Sequence, residues 1–297
     1  MMLIGIVVVP LSPNRKYYNV CGDGYIAYSH IEWLKRAGIQ VLPIPYTTNR
    51  FRYFFNKVNG LYFPSGGVFA GNSEQYYNCC KTFINMAKRS CDKGDYFPIW
   101  GACMGFQQML IVGDGNDNQN LLDKYDSFKN LMLPLDFTEE AKDTKLYKYL
   151  KRYKPKTLDM LGNTDITLNN HLMGLSPHKF YQSENLPNEY RIISTNKDRQ
   201  NKEFISTIES IKYPFFGVQW HPERSSDCDD LCKFLRLQLS KNKHLHKNLP
   251  ILNGKIINCM TYSDKLYNRC IFYNFDNSKK QSQCNNKFLG NPINNNI

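Results

Sequence analysis

The 297-residue sequence has no apolar run approaching the roughly 18 residues that a membrane span requires, which argues against a helical membrane protein. It also lacks C-x-x-C pairs and any other metal-ligand spacing among its ten cysteines. Cys79 and Cys80 are adjacent and Cys228 and Cys232 lie one helical turn apart, so core packing or free thiols account for most of them. No Asn-x-Ser/Thr sequon and no repeat of solenoid length is present. The apolar stretch Met2–Pro10 has neither a basic leader nor small residues at its end and is read as a strand, not as a secretory address. Hydrophobic residues at 42% and charged residues at 22% are those of a globular protein and exclude general disorder.

Acidic residues are scarce, 26 against 38 Lys and Arg, and the formal charge of +12 raises nucleic-acid binding. The excess is lopsided. Residues 241–297 hold nine Lys/Arg against Asp264 and Asp276, a net +7, which leaves +5 for residues 1–240. The body therefore reads as an ordinary solvated surface or as basic residues around a site for a polyanion, and no nucleic-acid partner is expected. With 13 Asn in 57 residues, the basic tail is expected to be an extension, partly disordered towards its end, to a domain spanning residues 1–240.

Along that domain, strand and helix patterns alternate. Leu3–Val9, Ile39–Ile44, Asn59–Phe63 and Pro98–Ala102 read as strands, and 25–37, 73–89 and Met104–Val112 as helices. Residues 113–165 are less regular and read as an excursion. Two late strands, Phe204–Glu209 and Phe215–Trp220, turn around Lys212–Pro214, and a helix over Asp227–Leu239 closes the unit. This order predicts an α/β fold, a three-layer sandwich with a mainly parallel central sheet, with its site beyond the carboxyl ends of the strands.

Gly101-Ala102-Cys103-Met104-Gly105 falls where a buried strand turns abruptly into a helix, the setting of a nucleophile elbow. Cys103 would lie at a helix N-terminus, where partial positive charge favours thiolate. The Met104 N–H, with a second from Gly66 or Gly67 after a neighbouring strand, would face a developing oxyanion. A structural cysteine between packing glycines accounts for the same pentapeptide. In Gln219-Trp220-His221-Pro222-Glu223, side chains two apart in an extended segment share a face, so Glu223 can reach the His221 ring and leave its other nitrogen for Cys103. An exposed histidine at a strand end is the plainer account. On the residues alone, His171 in a polar segment is most often surface, and His30, His178, His244 and His246 have no context that raises them further.

From about residue 3 to residue 240 the sequence resembles the γ-glutamyl hydrolase family. The likeness is carried by Tyr25-Ile26-Ala27, Phe63-Pro64-Ser65-Gly66-Gly67, Gly94 through Phe106, Glu203 through Thr207, and Tyr213 through Glu223. The wider class I glutamine-amidotransferase-like superfamily, flavodoxin-like in fold, shares the elbow and the His-Pro-Glu. The long Asp95-Tyr96-Phe97-Pro98-Ile99-Trp100 lead-in is particular to this family. The resemblance implies an omega peptidase with Cys103 as nucleophile, His221 as general acid/base, Glu223 behind it and a functional role for His171. It implies no metal or organic cofactor, a folylpoly-γ-glutamate substrate, no membrane, a homodimer as the assembly to consider, and a vacuolar, lysosomal or extracellular setting. That setting contrasts with a chain that opens almost directly on its first strand. Two other readings stand beside it: a glutaminase that passes ammonia to a synthetase, and a catalytically idle folate-binding protein of the same fold. Against the first, no synthetase domain is in the sequence; against the second, Cys103, His221 and Glu223 are all present.

Overall fold

A β-branched segment buried on both faces forms the second strand of the central sheet. In the computed structural model, which describes residues 2–10, 24–66, 74–115 and 120–245 and the backbone of strands Ile257–Thr261 and Asn268–Tyr273, Met2–Val7 pairs in parallel with Ile39–Ile44 on one side and Gly60–Phe63 on the other. Side chains alternate across that strand as the pleat requires. Ile4 and Ile6 face one core, with Trp33, Trp100 and Leu231, while Leu3 and Val7 face the other, with Phe83, Phe97 and Met109. Strands buried on both faces in this way belong to sheets covered by helices on either side.

The central sheet has eight strands in the order Ile39–Ile44, Met2–Val7, Gly60–Phe63, Ile99–Ala102, Phe215–Val218, Glu203–Ser210, Tyr190–Lys197 and Asp136–Phe137. The first five run parallel and the last three join antiparallel. Helices Glu74–Asp92 and Met104–Asp114 cover one face, and Tyr28–Arg36, Lys145–Tyr153 and Asp229–Leu239 cover the other. The three-layer α/β architecture expected from the sequence is therefore present. Among the described residues no helix is long and apolar enough to cross a membrane, and no cluster of His, Cys, Asp or Glu has the grouping of a metal site.

Three local readings change. Residues 25–27, expected to open a helix, form a strand, Gly24–Ala27, and the helix begins at Tyr28. That strand lies in a second sheet of four, between Val9–Pro10 and Asn268–Tyr273, and Ile257–Thr261 lies at the outer edge. Pairing with a segment more than 240 positions away overrides the local helical pattern. The excursion at 113–165 contains the strand Asp123–Leu133 and helices Lys145–Tyr153 and Pro155–Asn163. The strand returns on Thr167–Gly174 as a two-stranded ribbon, in which His171 sits opposite Ser127. Residues 274–297, which hold the expected disordered end, lie outside the described residues.

The closest approach in the sheet's upper layer is made without a side chain. A Cβ built on Gly105 would stand 1.9 Å from the Phe63 carbonyl oxygen, and one on Gly101 would stand 2.9 Å from the Gly105 carbonyl. The helix that leaves Cys103 is thus pressed directly against the end of the neighbouring strand, and all eleven of its residues are buried. Gly105→Ala is expected to cost about 3 kcal/mol or more, because backbone rather than a mobile side chain blocks the methyl group. Thermal or denaturant unfolding of the variant measures this, and an unchanged midpoint would contradict the packing described.

Candidate active site

Strand Ile99–Ala102 passes into helix Met104–Asp114 through one residue, Cys103. Its φ of 50° and ψ of −102° place a non-glycine residue in the left-handed half of conformational space. Such a residue costs on the order of 1–3 kcal/mol and persists only where its surroundings hold it. Here the Cys103 N–H donates to the Val218 carbonyl at 2.8 Å, and its carbonyl accepts the Gln107 N–H at 3.0 Å. The thiol is buried, 6% exposed, and unbridged. The N–H groups of the first helical turn have no intrahelical acceptor, so the helix presents partial positive charge at Cys103 and a donor at Met104, the Cys103 N–H being taken by Val218. Gly66 completes this corner: a Cβ there would meet the Met104 Cε at 2.8 Å, so the loop after Gly60–Phe63 lies on the start of the helix. Gly67 lies outside the described residues.

Val218 pairs with Ala102 in parallel, so the residues just beyond the two strands emerge side by side. His221 is one of them. Its Nδ1 is 2.9 Å from Glu223 Oε1, and both side chains are almost wholly buried. Pro222–Arg224 is a 3-10 turn, so the carboxylate reaches the ring by curling back and not by sharing a face of an extended segment. Nε2 of His221 is buried and closes no hydrogen bond of ordinary geometry among the described residues, yet the Cys103 sulfur is near enough to influence it. Burial alone would lower the His221 pKa, but Glu223 and Cys103 outweigh it and raise it to about 10. Burial likewise pushes the Glu223 carboxyl up, and His30, His221 and Arg224 reverse this and hold it at about 2. The arrangement favours a Glu223 carboxylate paired with a His221 imidazolium.

His171 is drawn into the same place and is not a surface residue. It is 4% exposed, its Nδ1 is 3.0 Å from the Met173 carbonyl, and its ring packs edge-on against Phe204. A carbonyl accepts only, so Nδ1 carries the proton and Nε2, which has no partner among the described residues, is a lone-pair acceptor. Burial drives the His171 pKa down to about 3, with the charge of His221 acting in the same direction. The ribbon reaches His221 directly, because the His221 N–H donates to the Leu168 carbonyl at 2.9 Å, and Gln107 bridges Met173 O and Gln219 Oε1.

Sequence reading missed His30. It is fully buried, with Nδ1 2.7 Å from Tyr62 Oη, Nε2 2.7 Å from Ser65 Oγ and Nε2 3.6 Å from Glu223 Oε1. The signal was its spacing: His30, Trp33 and Leu34 fall at i, i+3 and i+4 on the apolar stripe of one helix. His178 is exposed, His244 is tied to Phe55 O, Val58 O and Asp95, and His246 lies outside the described residues.

Comparison with known proteins gives a consistent set. The Peptidase C26 family profile matches residues 2–223. The chain is 37% identical over 207 residues to a mouse protein named gamma-glutamyl hydrolase, a match covering 69% of this chain and 62% of that one. It is 34% identical over 225 residues to the human gamma-glutamyl hydrolase, covering 75% and 67%, and 33% identical over 227 residues to gamma-glutamyl hydrolase B of Dictyostelium discoideum, covering 75% and 62%. The chain thus spans 62% of the length of the mouse relative. Among solved structures, a protein of Thermoplasma acidophilum described as part of a GMP synthase superposes with a TM-score of 0.51 at 13% identity, over 81% of this chain and 95% of that one. This likeness establishes the class I glutamine-amidotransferase-like fold.

The electrostatics are measurable without turnover. His221 is expected to remain protonated past pH 8, since Glu223 and Cys103 hold its pKa near about 10. Glu223→Gln removes the leading attractive charge and leaves the effect of burial, so the His221 pKa is expected to fall. NMR titration of the imidazole carbon signals reads this, and an unmoved titration would contradict the pairing.

Proposed function

Because the chain belongs to the Peptidase C26 family, we propose that it hydrolyses γ-glutamyl amide bonds by thiol chemistry at Cys103, with folylpoly-γ-glutamates as substrates. The observation that carries this reading is one continuous arrangement: a strained Cys103 at a helix start, His221 beside it, and Glu223 2.9 Å behind His221. The proposed catalytic unit is residues 1–240, with 241–297 as its basic, Asn-rich extension.

The Cys103 thiolate attacks the γ-carbonyl carbon, and the carbonyl π pair moves onto oxygen. N–H groups at Met104 and Gly66 hold that oxyanion, a contribution of about 3 kcal/mol per donor in comparable sites. The C–N bond then breaks as His221 Nε2–H protonates the leaving amine, which leaves a thioester. Water attacks the thioester, His221 accepts its proton, and the thiolate departs with the bonding pair. Glu223 keeps the imidazole in one tautomer and orientation throughout. His171, whose free Nε2 is an acceptor, suits an amide N–H of the substrate. No step calls for a metal or an organic cofactor. The leaving group of each cycle is the amine of a shorter γ-glutamate chain, whose free α-carboxylates suit a basic surface.

Incubation with a folyl-penta-γ-glutamate, with products identified by mass, is expected to yield shortened folates and released γ-glutamates. Cys103→Ala is expected to lose on the order of 10⁴-fold or more of this activity while keeping its fold. His171→Asn is expected to lose on the order of 10²-fold, and His178→Asn to stay close to wild type. Wild-type turnover by Cys103→Ala would overturn the mechanism, and equal kinetics for the two histidine variants would remove His171 from it.

A further inference from the structure

His30 belongs to no step of the mechanism above, yet it is fully buried against the acid of the site. It projects from helix Tyr28–Arg36, which packs against the 3-10 turn Pro222–Arg224 that carries Glu223. Its two ring nitrogens reach two different structures. Nδ1 meets Tyr62 Oη at 2.7 Å, and Nε2 meets Ser65 Oγ at 2.7 Å while standing 3.6 Å from Glu223 Oε1. Tyr62 lies near the end of the strand Gly60–Phe63, and Ser65 directly precedes Gly66 in the loop that lies on Met104.

The tautomer follows from these neighbours. With the proton on Nδ1, the Nε2 lone pair would face the Glu223 carboxylate in buried surroundings, a repulsive arrangement. With the proton on Nε2, the N–H donates to Ser65 Oγ and its positive end lies towards Glu223 Oε1, while Nδ1 accepts from the Tyr62 hydroxyl. Tyr62 can donate, because burial keeps its phenol protonated. Burial also keeps His30 neutral, although Glu223 pulls in the opposite direction. The titratable groups around it are therefore Tyr62, Glu223, His221 and Arg224.

From this we infer that His30 is a positioning residue that fastens the Glu223 carboxylate to the loop Phe63–Gly66, so that the base behind His221 and the backbone donors facing the oxyanion are held by one imidazole. In kinetic terms this rests on the function proposed above; as a statement about Cys103 reactivity it does not. The ring nitrogens of His30 meet Tyr62 and Ser65 and stand beside Glu223, so it acts through Glu223 and Ser65. Its removal takes the positive end of an N–H dipole away from a buried carboxylate 3.6 Å distant, which disfavours the charged form and weakens the hold of Glu223 on protonated His221.

The test uses the full chain with His30→Leu, which has no hydrogen-bonding atoms, and His30→Gln, whose amide N–H and carbonyl reproduce the donor and acceptor. Alkylation of Cys103 by iodoacetamide is followed across pH by the mass of its peptide, alongside kcat, KM and Tm. His30→Leu is expected to react about tenfold more slowly at neutral pH, with its onset at higher pH, and to lose about tenfold or more in kcat with KM nearly unchanged. His30→Gln is expected to recover most of both losses. Ser65→Ala, which keeps His30 but frees the loop, is expected to lower kcat without changing the alkylation profile, and it carries the kinetic test if His30→Leu does not fold. A folded His30→Leu with the wild-type alkylation profile and kcat would overturn the inference, and so would equal impairment of the Leu and Gln variants, or a Ser65→Ala with wild-type kcat. If the wild-type chain leaves γ-glutamyl substrates untouched while the alkylation differences persist, the function fails and the role of His30 stands.

Discussion

Everything at this site depends on the register between two neighbouring parallel strands, Ile99–Ala102 and Phe215–Val218. Val218 lies opposite Ala102, and the next N–H along, that of Cys103, donates to the Val218 carbonyl. One hydrogen bond thus fixes the strained backbone of the sulfur-bearing residue to the strand that delivers the imidazole three residues later. A shift of one residue would turn every side chain of the strand to the opposite face and separate sulfur from histidine. The Gly105 contact with Phe63 serves the same register from the other side, because it lets the helix descend far enough for its first turn to meet the loop of Gly66. Strain of a few kcal/mol at Cys103 is sustained by this double support, and a fully buried helix beneath it leaves little room for relaxation.

The second constraint is electrostatic. Three ionisable side chains, Glu223, His221 and Cys103, lie in sequence with less than a tenth of each exposed. In such surroundings a lone charge is heavily disfavoured, so the Glu223 carboxylate and the His221 imidazolium sustain each other. The neutral histidines flank this line. His171, with its proton on Nδ1, offers a lone pair, whereas His30 offers an N–H towards Glu223. One histidine is held charged by its partners and two are held neutral by burial, so residues of the same type differ in charge within one site.

The fold was legible because its strands are buried on both faces and read as short apolar runs, and because glycines mark the elbow. Cys103, His221 and Glu223 could be found from adjacency in sequence, a small-residue turn and a His-Pro-Glu. What escaped was whatever depended on distant pairing. Gly24–Ala27 is a strand because Asn268–Tyr273 lies beside it. On its own residues His171 read as surface, because its polar neighbours Asn169 and Asn170 gave no hint that the ribbon with Asp123–Leu133 would bury it, and its expected role came only from the family resemblance. His30 was hidden for a different reason: its helix pattern was visible, but a histidine on an apolar stripe does not announce which carboxylate it will meet.

In the proposed mechanism the sulfur of Cys103 becomes covalently bonded to the γ-carbonyl carbon of the substrate. Rapid mixing with excess γ-glutamyl substrate, acid quenching within the first turnover and intact-mass measurement address this step directly. A mass increase equal to the acyl group being transferred is expected, located on the Cys103 peptide and discharged by hydroxylamine as a thioester would be. Turnover with no adduct on Cys103 at any quench time, in a preparation whose product appears in a burst, would contradict it.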